Sequence, residues 1–142
     1  MIEIGPLYTA EAVATGAGRD GHVQTADGRI ALDLAVPAEM GGSGDGANPE
    51  QLFAAGYAAC FHSALQSVAR QAKKKLGDSS VGARVSIGKA GEGFGLAVTL
   101  EVVIPDLPQD EAQQLADAAH QVCPYSNATR GNIRVDVQVV DD

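Results

Sequence analysis

The sequence predicts an α+β protein: mainly antiparallel sheets packed around a long central helix and a second, shorter helix. Three observations carry this. An almost wholly apolar helical stretch, Leu52 to Leu65, sits mid-chain between two strand-like regions. Glycine clusters and prolines mark the boundaries between segments. The chain closes on a strict alternation of Ile133, Val135, Val137 and Val139. Strands, helix, strands, helix and strand in that order suit an α+β layer architecture. A length of 142 residues supports one hydrophobic core, so residues 1–142 are expected to form a single domain.

Residues 6–36 read as strands. Tyr8, Ala10, Ala12 and Ala14 alternate weakly with their neighbours, and Ile30, Leu32 and Leu34 alternate more clearly. Turn signals fall at 16–21 and at Asp27-Gly28, a hairpin pair. The loop 37–48 holds Gly41, Gly42, Gly44 and Gly46. It lacks both the Lys-Ser/Thr of a P-loop and a completed G-x-G-x-x-G, so it reads as a mobile surface loop. Asn48-Pro49-Glu50 is a helix start, with a capping side chain, a proline at the first position and an acid in the first turn. The helix is expected to run to about Leu76 and stop near Gly77, with its first half buried all round. Two strands follow, Val81 to Ile87 and Phe94 to Ile104, joined by a turn at 88–95. A second helix opens at Pro108 with acids in its first turn and is expected to end at Val122, stopped by Pro124. The last strand covers 132–140.

Composition narrows the function. Hydrophobic residues make up 45% and charged residues 20%, ordinary for a globular chain. The net charge of −8 argues against nucleic acid or an anionic membrane as partner. No stretch approaches the ~18 apolar residues of a membrane span. The opening MIEIGPLYTA lacks the basic and apolar regions of a signal peptide, so the expected location is cytoplasmic. There thiols stay reduced unless they are used, which directs attention to the two cysteines.

Cys60 lies mid-helix, with Gly56, Tyr57, Ser63 and Ala64 on its face and Phe53 and Leu52 two turns before it. Cys123 ends the second helix, directly before Pro124. Each cysteine reads equally well as an inert core thiol or as chemistry. As a pair they permit a peroxidase cycle: one thiolate becomes a sulfenic acid and the other condenses with it to a disulfide. That requires a depressed pKa on the first thiol, supplied by a nearby cation. A zinc site from Cys60, His62, His120 and Cys123 fails, because positions i and i+2 of a helix point about 200° apart. A Cys60–His62 dyad fails likewise, although His120 can approach from the other helix. His22 and His62 read as surface or satisfied histidines, and Lys73 to Lys75 as a solvated helix end.

Two long motifs now point to a family. Asn48-Pro49-Glu50-Gln51-Leu52-Phe53-Ala54-Ala55-Gly56-Tyr57-Ala58-Ala59-Cys60-Phe61 resembles the first cysteine motif of the organic hydroperoxide resistance proteins, a branch of the osmotically inducible protein C superfamily. Val122-Cys123-Pro124-Tyr125-Ser126-Asn127-Ala128-Thr129-Arg130-Gly131-Asn132-Ile133 resembles the second. Leu7 to Ala10 and Gly16 to Gly21 are similar to the family's first strand and arginine loop, so the resemblance covers essentially the whole chain. It implies an intertwined homodimer with active sites at the subunit interface, and a thiol peroxidase that reduces organic hydroperoxides, lipid-derived ones included. Cys60 matches the peroxidatic cysteine and Cys123 the resolving one. Arg19 and Glu50 match the pair that activates the thiolate. The implied reductant is a dihydrolipoyl group on a lipoylated protein, not thioredoxin or glutathione, and no metal or bound redox cofactor is implied.

Elementary physics is compatible with these roles. Arg19 stays protonated and can hold a thiolate in an apolar site. Glu50 can accept a bidentate contact from it, although a carboxylate at a helix N-terminus needs no such role. Ten residues separate Glu50 from Cys60 on one helix, about 15 Å of rise. Glu50 is therefore expected to reach a Cys60 site across a dimer interface; the alternative is a bend in the helix at Gly56. Lining by Leu52, Phe53, Phe94 and Leu96 would favour alkyl peroxides over hydrogen peroxide. The rival from another class is a non-catalytic homodimer that binds a small apolar molecule in the same groove.

Overall fold

The computed structural model describes residues 1–141. The chain divides into two compact units, Met1–Pro49 and the remainder from Glu50 onward. The first is a three-stranded antiparallel meander of β1 (Ala12–Thr15), β2 (His22–Thr25) and β3 (Ala31–Asp33). A short 3-10 turn, Gly18–Asp20, links β1 to β2. Asp20 ties this turn down by accepting the Val36 N–H at 2.9 Å. The Asp27-Gly28 hairpin signal sits between β2 and β3, with Gly28 donating to the Thr25 carbonyl at 2.9 Å. These strands are shorter than the alternation suggests, and residues 1–11 form none. This unit buries only Ala35 and Asn48. Ile2, Ile4, Leu7, Tyr8 and Val13 are all exposed.

The second unit holds a three-stranded sheet and three helices. Helix α1 spans Pro49–Gln71 and begins at the expected proline. It buries one stripe, Tyr57, Phe61, Ala64, Leu65, Val68 and Ala69, at steps of three and four. The expectation of burial all round is corrected: Ala55, Ala59 and Ser63 on its other faces are exposed. The stripe packs on Val98, Leu100 and Val102 of the sheet and on Ala112, Leu115, Ala116 and Ala119 of the second helix in one cluster.

Helix α1 stops five residues before Leu76. Lys73 adopts a left-handed conformation with φ 58°. Lys73 N–H donates to the Arg70 carbonyl and Lys74 N–H to the Ala69 carbonyl, the two bonds of a Schellman cap. The cap falls on a lysine and not on Gly77, because capping bonds can hold a side-chain-bearing residue in this region at a cost of about 1 kcal/mol. Lys73→Gly is accordingly expected to stabilise the protein by about 1 kcal/mol. Urea unfolding checks this; a lower midpoint would show that the lysine itself holds the cap.

Strands β4 (Ser80–Ala90) and β5 (Gly93–Val103) form an antiparallel hairpin in which Ala90 pairs with Gly93. The two-residue loop Gly91-Glu92 carries its positive φ, 59°, at Gly91, as a type II′ turn requires. Helix α2 covers Gln109–Val122. Pro124 ends it as expected, but also opens an unforeseen helix α3, Pro124–Thr129, by occupying its first turn. Strand β6 (Val135–Val139) then pairs parallel to β5. The sheet is therefore mixed, because the helical crossover through α2 and α3 returns the chain to the starting end of β5. Among the described residues, no helix is long and apolar enough to cross a membrane.

Candidate active site

Cys60 and Cys123 meet, although 63 positions separate them in sequence. Their sulfurs are 3.7 Å apart, in contact but not bonded. Cys60 sits one turn after Tyr57 on α1 and is half-buried. Cys123 is fully buried at the joint between α2 and α3. It caps both helices: its N–H donates to Ala119 and its carbonyl accepts from Asn127. The proline after it favours the extended backbone that it adopts, φ −64° and ψ 125°. A disulfide needs sulfurs at about 2.05 Å, so closure requires roughly 1.7 Å of approach.

The electrostatics of Cys60 differ from expectation. Burial pushes its thiol above the ordinary value, and the neighbouring Cys123 pushes the same way. One hydrogen bond opposes them, from the backbone N–H of Tyr125 in the first turn of α3. The depressed pKa expected for a peroxidatic thiol is therefore not what these surroundings produce; desolvation outweighs a single amide donor.

Aromatic rings flank the pair. Phe53, Tyr57 and Tyr125 have centroids 5.6 to 6.1 Å apart in edge-on and tilted contacts. Phe53 and Tyr57 lie on the Cys60 face of α1. Gly56 lets Tyr125 lie close: a β-carbon there would meet the Tyr125 hydroxyl at 2.7 Å. The alternative of a break in the helix at Gly56 is not seen, since α1 runs uninterrupted through it. Of the anticipated apolar lining, Phe53 packs against the same core cluster as Cys60, and Leu52, Phe94 and Leu96 are not among the residues packed on it. Phe94 is 68% exposed.

Behind the thiols lies a buried polar cluster that sequence reasoning missed. The Tyr57 hydroxyl is 2.9 Å from Ser126 Oγ and 3.1 Å from Thr129 Oγ1. His120 Nδ1 is 2.7 Å from Ser126 Oγ. Thr129 Oγ1 donates to the Ser126 carbonyl at 3.2 Å. Burial and the Arg130 charge lower the His120 pKa, against a smaller opposite pull from Asp117. Had Pro124 been read as opening a helix, Ser126 and Thr129 would have stood out as hydroxyls on one face.

The remaining candidates are placed as follows. Arg19 lies half-buried in the 3-10 turn between β1 and β2. Glu50 lies half-buried in the first turn of α1, and the unbroken helix sets it about 15 Å along the axis from Cys60 of its own chain. His62 Nε2 is satisfied by Ser79 Oγ at 2.9 Å, and His22 pairs with Asp33 at 2.9 Å. Among the described residues, no three His, Cys, Asp or Glu side chains converge as a metal-ligand set.

Residues 42–138 match the family model described as OsmC-like protein. An organic hydroperoxide resistance protein of Xanthomonas axonopodis pv. citri is 55% identical over 131 residues, 91% of this chain and 92% of the relative. The crystal structure of an organic hydroperoxide resistance protein from Legionella pneumophila superposes with a TM-score of 0.90 at 53% identity, covering 95% of this chain and 98% of that one. The organic hydroperoxide resistance protein OhrB of Bacillus subtilis superposes with a TM-score of 0.86 at 45% identity, covering 95% and 100%.

Proposed function

Since the chain belongs to the OsmC-like family, among relatives that are organic hydroperoxide resistance proteins, we propose that it is a cysteine-based peroxidase acting on organic hydroperoxides, fatty-acid hydroperoxides included. The observation that carries this is the 3.7 Å approach of a reachable thiol to a buried one. In the proposed cycle the Cys60 thiolate attacks the terminal peroxide oxygen, and the O–O bond breaks. The alkoxide takes up a proton and leaves as the alcohol, and Cys60 becomes a sulfenic acid. The Cys123 thiol then attacks the Cys60 sulfur. Water leaves and a disulfide remains. The two thiols supply both electrons, so the cycle calls for no metal or bound redox cofactor. A dihydrolipoyl group on a lipoylated protein is the proposed reductant, restoring both thiols by exchange.

The active form is proposed to be a homodimer. Two features support it: the exposed apolar side chains of residues 2–13, and the exposed alanines on α1. The straight α1 supports the dimer route for Glu50, which would act on the Cys60 site of a second copy. Arg19 is proposed to supply the positive charge that a desolvated Cys60 needs, with Glu50 orienting its guanidinium. Arg19→Ala should raise the Cys60 pKa further. Alkylation by iodoacetamide should then slow at least tenfold at pH 7 and recover at alkaline pH, where the thiol ionises unaided. An alkylation profile identical to wild type would remove Arg19 from the site. The proposed location is cytoplasmic.

The deciding experiment is a thiol titration before and after one equivalent of cumene hydroperoxide, followed by intact mass. The expected result is loss of both thiols and a mass lower by two hydrogens. Retention of both thiols would favour a protein that only binds apolar molecules. Hydrogen peroxide should react at least tenfold more slowly, because about two buried methylene equivalents are worth that factor. Equal rates would exclude aromatic lining by Phe53 and Tyr125 as the source of selectivity.

A further inference from the structure

Resting on that peroxidase reading, we infer that Tyr57, Ser126 and His120 are positioning residues that hold the resolving thiol against Cys60 through one directed hydrogen-bond chain. The direction follows from counting protons. A carbonyl only accepts, so the Thr129 hydroxyl spends its single proton on the Ser126 carbonyl. Thr129 Oγ1 must then accept from the Tyr57 hydroxyl. Tyr57, its proton used, must accept from Ser126 Oγ. Ser126 Oγ in turn must accept from His120 Nδ1. The chain therefore runs His120 to Ser126 to Tyr57 to Thr129, and it fixes His120 with its proton on Nδ1.

The chain matters because of what it joins. Tyr57 is on α1, one turn before Cys60; His120 is in the last turn of α2; Ser126 and Thr129 are on α3. Helix α3 has six residues, too few to hold itself. Its opening carries two groups that contact Cys60: the Cys123 sulfur and the Tyr125 N–H. Ser126 Oγ, fully buried, ties α3 to α1 and α2 at once. Loss of that tie removes a restraint on the approach of the two sulfurs, which are roughly 1.7 Å short of bond formation. The step served is the second one, in which Cys60 sulfenic acid and Cys123 thiol give disulfide and water.

The test measures how the sulfenic acid partitions. The reduced full chain is mixed with one equivalent of cumene hydroperoxide in the presence of dimedone. Peptide mass then gives the ratio of the Cys60 dimedone adduct to the Cys60–Cys123 disulfide. Wild type should give chiefly disulfide. Tyr57→Phe keeps the ring contacts with Phe53 and Tyr125 but breaks the chain, and should raise the ratio at least tenfold. His120 is half-buried, so it supplies a second pair of variants. His120→Leu should raise the ratio likewise, and His120→Asn, whose amide N–H can replace Nδ1–H, should restore it. A ratio unchanged from wild type in folded Tyr57→Phe or His120→Leu would overturn the inference alone, whatever their melting temperatures. Should wild type itself keep both thiols, the peroxidase reading falls and the inference with it.

Discussion

Cys60→Ser is expected to reduce peroxide turnover to the uncatalysed background. The substitution changes little else. Cys60 is half-buried, serine is nearly the same size, and its oxygen can accept the Tyr125 N–H that the sulfur accepts now. What disappears is the nucleophile. A serine hydroxyl has no accessible anion near neutral pH in this site, since its pKa lies far above neutrality and burial opposes charge. Nor can oxygen take the place of sulfur on the oxidation ladder that stores the two electrons. The measurement is consumption of cumene hydroperoxide with a dithiol present, on protein shown to be folded. Turnover above background in the serine variant would remove Cys60 from the chemistry.

Cys123→Ser should separate the two halves of the cycle. The first reduction depends on Cys60 and should give one alcohol per protein at close to the wild-type rate. The sulfenic acid then has no thiol within reach, because the group 3.7 Å away has become a hydroxyl. It should accumulate, react with dimedone, and pass to the sulfinic acid under excess peroxide, a step that dithiols do not reverse. Steady-state turnover should fall by at least an order of magnitude and decline with time. Undiminished multiple turnover in this variant would take Cys123 out of the mechanism and leave it a core residue.

Local chemistry made much of this legible in advance. Asn48-Pro49-Glu50 places the start of α1 because proline is tolerated only where its missing N–H has no helical partner. Asp27-Gly28 marks the β2–β3 hairpin for a similarly local reason, and Ile133 to Val139 carries β6 in its alternation. The misreadings share a cause. The end of α1 depends on capping bonds that hold a lysine in a left-handed conformation, which composition does not announce. Pro124 was legible as a stop, yet its second role, opening α3, depends on Ser126 and Thr129 finding Tyr57. The parallel pairing of β6 depends on where the crossover lands.

The sequence by itself determined the residue types and their local settings: two thiols, one mid-helix in apolar company and one before a proline, within motifs specific enough to point to the family. It also set the spacing of Glu50 and Cys60, ten residues or about 15 Å on a straight helix, because helix rise is a property of the backbone. Only the tertiary structure decided that the two thiols lie 3.7 Å apart, that Cys123 is the buried one, and that burial raises the Cys60 pKa where a nearby cation was expected to lower it. The physical reason is range. Helix starts, turns and alternation arise from interactions within a few residues, whereas desolvation and the approach of two sulfurs depend on which distant side chains close around them.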